Sequence, residues 1–121
     1  LFYERKEKKL KFDDYECKEM NQLFSLIRVS IEEATKAYFE DNALLANQVI
    51  DREKEIDRLV KGFRICHINR INDPKVANSS SGYYIDILSN LERIGDHLEN
   101  IAVNTINESF AYHKPNIKVE D

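Results

Sequence analysis

The chain has 121 residues, with 42% apolar and 33% charged side chains and a net charge of −4. That length suits one domain around one core, and the acidic balance argues against a dedicated nucleic-acid binder, which needs a basic surface. Three Gly, two Pro and no Trp leave few of the breaks a multi-stranded sheet requires, and no run approaches the roughly 18 apolar residues of a membrane span.

Residues 1–11, LFYERKEKKLK, hold five basic and two acidic residues and read as a solvated linker or, in a segment of a longer protein, as a juxtamembrane stretch on the cytoplasmic side. The start at Leu1 rather than Met fits such a segment. A first helix follows, capped by Asp13 or Asp14. Its expected apolar stripe is Met20, Leu23, Phe24, Ile27, Ile31, Ala34 and Tyr38. Glu40-Asp41-Asn42 suits a turn and a new cap. The second stripe runs through Leu45, Val49, Ile56, Leu59, Val60, Phe63 and His67, and fades by Arg70. NDPKVANSSSG at 72–82 is a loop by composition. The third stripe is Tyr84, Leu88, Leu91, Ile94, Leu98, Ile101, Ala102 and Thr105, and it ends before Pro115.

Each predicted helix is about 25–30 residues, or roughly 40 Å long. Strand-like alternation is absent. The expected fold is therefore all-α, an antiparallel three-helix bundle of long helices over residues 12–110, with a C-terminal tail at 111–121. Cys17 and Cys66 stand outside any CxxC or Cys/His spacing and read as reduced thiols in a cytoplasmic setting.

The carboxylates carry the chemistry. At about 100° per residue, Glu92, Asp96 and Glu99 share one edge of the third helix and border its apolar stripe. Glu53 and Asp57 occupy the corresponding edge of the second helix. Like charges at i,i+4 repel, and partial burial raises the cost, so two such pairs in one small bundle need compensation. Arg52, Arg64 and Arg93 could supply it as ion pairs. A metal could supply more, because hard oxygen ligands on facing helices converge on Mg, Mn or Fe at about 2.0–2.2 Å. Gly95, costly inside a helix, would suit close helix approach or space for an ion. No Glu stands three places before any of the three His, which argues against the Glu-x-x-His chemistry of ferritin-like di-iron bundles. His67 reads as a hydrogen-bonded core residue and His97 as exposed. No catalytic triad spacing and no glycine-rich phosphate loop is present.

Glu53-Lys54-Glu55-Ile56-Asp57-Arg58-Leu59, Tyr84-Ile85-Asp86-Ile87-Leu88 and Asn90-Leu91-Glu92-Arg93-Ile94-Gly95-Asp96-His97 together resemble the PhoU family of phosphate-uptake regulators. The resemblance covers roughly residues 10–108. It implies a three-helix repeat whose second and third helices each carry a metal-binding E(D)-x-x-x-D motif, falling here on Glu53 and Asp57 and on Glu92 and Asp96. Glu99 joins them by its shared edge. Mg, Mn, Fe, Zn and Ni are all compatible ions. A standalone PhoU resembles two tandem bundles, whereas this chain has room for one. A single unit of this kind occurs at the cytoplasmic C-terminus of bacterial sodium/phosphate cotransporter-type membrane proteins. The resemblance thus implies a non-enzymatic regulatory domain of a sodium-dependent phosphate transporter, at the cytoplasmic face of the membrane. Its partners would be the transmembrane region of the same polypeptide or, as a homodimer, a second copy. The alternative is a standalone adaptor linking a phosphate transporter to a sensor kinase.

Overall fold

The computed structural model describes residues 12–73 and 81–112, so the expectations for the basic segment 1–11, most of the 72–82 loop and the tail beyond 112 lie outside the described residues. Three helices account for nearly all of the rest: α1 (Asp14–Glu40), α2 (Ala43–Ile71) and α3 (Ser81–Tyr112). Among the described residues there is no strand, and no helix is long and apolar enough to cross a membrane. The all-α three-helix bundle expected from the sequence is the observed fold.

Local chemistry sets the helix ends. Asp13 caps α1 in a reciprocal arrangement: Glu16 N–H donates to Asp13 Oδ1 at 2.7 Å, and Asp13 N–H donates to Glu16 Oε1 at 2.9 Å. Asp41 then takes the left-handed conformation (φ 54°), and its N–H donates back into the last turn of α1. Asn42 follows at once as the cap of α2, accepting from Leu45 N–H at 3.0 Å. Two residues therefore reverse the chain, which makes α1 and α2 antiparallel neighbours.

Two clusters fill the interior. Below, Met20, Leu23, Ile27, Ile56, Val60, Tyr84, Ile87, Leu88 and Leu91 form the larger one. Above, toward the Asp41–Asn42 turn, Ala34, Ala37, Ala46, Val49, Leu98 and Ala102 form a core of mostly small side chains. The periodicity placed three residues of α1 on the wrong side: Phe24, Ile31 and Tyr38 are 46%, 45% and 54% exposed, while Glu16, Ser30 and Ala37 are buried. On α3, Ile94 and Ile101 are likewise partly exposed. All five sit at the edge of their stripes, and a helix with two neighbours buries a narrower arc than a stripe counted in three- and four-residue steps.

Candidate metal centre

The seam between α2 and α3 gathers all five carboxylates singled out in the sequence, but it sorts them into two groups. Antiparallel packing places Glu53 opposite Asp96 and Asp57 opposite Glu92. In the first group, Glu53, Asp96 and Glu99 each present one carboxylate oxygen within 4.8 Å of the others. Glu53 is buried, Glu99 half-buried and Asp96 exposed, so the group is anchored in the core and open to water on one side. Among the described residues no Lys or Arg forms an ion pair with any of these three.

The electrostatic consequence falls on Glu53. Burial, a hydrogen bond with Asp96 and the neighbouring Glu99 charge push its pKa from 4.5 up to about 7.

The second group is already neutralised. Lys61 Nζ lies 2.9 Å from Asp57 Oδ2, one turn along α2. Arg64 Nη2 lies 3.4 Å from Glu92 Oε1 and donates to Ser89 Oγ at 3.1 Å. The Lys61 ammonium holds the Asp57 carboxyl below its ordinary range. Glu92 is raised by its hydrogen bond to Asp57 and by burial, with Arg64 opposing. Of the three arginines expected to compensate the seam, only Arg64 does so. Arg52 instead forks onto Glu33 of α1 through Nε and Nη2 at 3.1 and 3.0 Å, and Arg93 donates to Asn90. Lys61 was not anticipated, although its i+4 spacing from Asp57 was the readable signal.

Gly95 is buried against this seam, and a Cβ built there would stand 3.6 Å from Ile56 Cγ2 and 3.7 Å from Glu53 Cγ. Those are ordinary van der Waals contacts. The helices approach closely here, but an alanine methyl would fit among the surrounding side chains, so close approach alone does not require glycine.

A separate polar cluster at the other end of the bundle was not foreseen. Arg70 forks onto Glu19 through Nη1 and Nη2 at 3.1 and 3.0 Å, and the buried Tyr84 hydroxyl donates to the same carboxylate. Burial and the Glu19 charge raise the Tyr84 pKa well above the usual phenol range. His67 is buried as expected, with Nε2 2.8 Å from Ser81 Oγ and Nδ1 3.8 Å from Glu16 Oε2. His97 is exposed, also as expected. The cluster ties α1, α2 and α3 together through pairs as far as 65 residues apart in sequence, which no local pattern announces.

The donor set suits a hard cation. Three oxygens within 4.8 Å of one another can close onto one ion with small side-chain rotations, and the open side leaves room for the waters such ions retain. A PhoU domain model matches residues 20–105, a span that contains both halves of the seam and most of the core. The chain belongs to the PhoU domain family. It is also 30% identical, over 100 residues, to the phosphate-specific transport system accessory protein PhoU homolog 1 of Thermotoga maritima. That match takes in 83% of this chain and 42% of the relative, so the chain spans under half the length of the curated relative it matches. No solved structure matches the chain.

Proposed function

We propose that this PhoU domain is a non-enzymatic regulator of phosphate uptake, and that a divalent or iron-type cation held by Glu53, Asp96 and Glu99 sets its regulatory state. The observation that carries the reading is the convergence of those three carboxylates, with no ion-paired Lys or Arg among the described residues, in a chain of the PhoU family. Bound there, a cation would relieve the repulsion that raises Glu53 and would cross-link α2 to α3. Because carboxylate ligands must be deprotonated to hold a cation, occupancy would rise with pH. The chain's own part is to present the oxygens, exclude water on the Glu53 side and leave the Asp96 side open.

The finer setting we favour is the cytoplasmic face of the membrane, below a sodium-dependent phosphate transporter whose transmembrane region lies in the same polypeptide. The basic segment 1–11 supports it. In that setting the domain docks on its own transporter or pairs as a homodimer, and binds no nucleic acid. The relative's name, that of a phosphate transport accessory protein, favours the second reading, a standalone adaptor between transporter and sensor kinase. Hydrophobic segments of about 20 residues in the parent gene distinguish the two.

The direct test compares the native chain with Glu53→Ala and Asp96→Ala, purified without chelator, for metal content, and measures labelled phosphate uptake in cells carrying each. Both variants are expected to lose metal and to shift uptake. Unchanged metal content sinks the ligand assignment, and unchanged uptake sinks the regulatory role.

A further inference from the structure

The seam holds five carboxylates, yet its two halves are electrostatically unlike. Glu53 is only 8% exposed, and the groups acting on it are the carboxyls of Asp96 and Glu99, with a smaller contribution from Asp57. Among the described residues no Lys or Arg forms an ion pair with the Glu53–Asp96–Glu99 trio, so a dication entering there meets carboxylates that no cation already occupies. At the Asp57–Glu92 pair the equivalent charge is already supplied from within the chain. Lys61 Nζ stands 2.9 Å from Asp57, and Arg64 stands 3.4 Å from Glu92 while also donating to Ser89. A dication approaching this pair would have to expel an ammonium and a guanidinium from oxygens they already occupy.

We propose that Lys61 and Arg64 act as built-in counter-ions of the Asp57–Glu92 pair and confine the seam to a single divalent cation, held by Glu53, Asp96 and Glu99. The four E-x-x-x-D carboxylates then do not act as one ligand set in this chain. Glu53 and Asp96, with Glu99, hold the ion, while Glu92 ties α3 to α2 through Arg64 and Asp57 is neutralised by Lys61 on its own helix. Removing both basic side chains opens a latent second site beside the first. The inference rests on the metal-binding reading given above and concerns its stoichiometry.

Titration of the full chain with Mn²⁺ at pH 8 by calorimetry, with Mn²⁺ electron paramagnetic resonance, tests it. The native chain is expected to take one equivalent. Lys61→Met/Arg64→Met is expected to take two, with resonance lines broadened by dipolar coupling between neighbouring ions. Circular dichroism confirms that the double variant is folded. Should it unfold, Lys61→Met alone serves, since that side chain is 65% exposed; its second equivalent should bind at least tenfold more tightly than any second event in the native chain. Two equivalents of similar affinity in the native chain, or one in every variant, would overturn the assignment of Lys61 and Arg64. Absence of Mn²⁺ binding in all chains would overturn the metal reading and this inference with it, an outcome distinct from the other two.

Discussion

Glu53→Gln is the most informative single change, because it removes one charge from the trio while keeping size and a donor for Asp96. In the folded chain Glu53 holds its proton up to about pH 7, against 4.5 for an ordinary glutamate. Between those values the folded state binds more protons than the unfolded state, so stability falls as pH rises through that window and levels off above it. The displacement corresponds to roughly 3 kcal/mol at about 1.36 kcal/mol per pH unit. Asp96 is exposed, and water screens its share, so about 1–2 kcal/mol is the working expectation. In chelator, Glu53→Gln should therefore be more stable than the native chain at pH 8 by about that amount, and the difference should vanish near pH 4.5. With an m-value of about 1–1.5 kcal/mol/M, the urea midpoint moves up by about 1 M. Saturating Mn²⁺ should reverse the order, since a ligand at 100 times its Kd adds about 2.7 kcal/mol to the chain that binds it. A native-to-variant difference that is the same at pH 5 and pH 8 refutes the coupling of Glu53 to the trio.

Two further outcomes are expected. Gly95→Ala should raise stability by about 0.5–1 kcal/mol in thermal unfolding, because the new methyl meets only ordinary contacts and the helix gains propensity; destabilisation would mean the seam is tighter than described. At the other end, Tyr84→Phe should cost about 1 kcal/mol, since Arg70 still holds Glu19, whereas Glu19→Ala leaves both Arg70 and Tyr84 without their shared partner and should cost about 2–4 kcal/mol by urea unfolding. Equal costs for the two would deny that Glu19 is the hub.

The bundle was legible because its signals are local. Asp13, the 40–42 turn and the stripes of α2 and α3 are written in residues within a few turns of one another. Periodicity also found the acid edge, since positions four apart on facing helices meet whatever their partners. It failed on Phe24, Ile31 and Tyr38 of α1 and on Ile94 and Ile101 of α3, where only the placement of the other two helices decides which flank is covered. Helix-wheel geometry could not say which carboxylates have a cation, because Arg52 reaches Glu33 on another helix instead of the adjacent Glu53. The Glu19–Arg70–Tyr84 cluster was invisible for the same reason: each member is unremarkable within its own turn, and only the packing of all three helices makes it a cluster.

The two unequal cores give the bundle a preferred place to open. The upper core, built largely on Ala34, Ala37, Ala46 and Ala102, removes far less apolar surface from water than the lower one with its Leu, Ile, Met and Tyr side chains. Amide protons near the Asp41–Asn42 turn should therefore exchange through local fluctuations that leave the lower half intact. Glu53 lies along α2 between Val49 of the upper core and Ile56 of the lower, at the boundary between the two cores. An ion gripped there would stiffen the softer half, making occupancy readable at a distance as a change in motion instead of a change in shape.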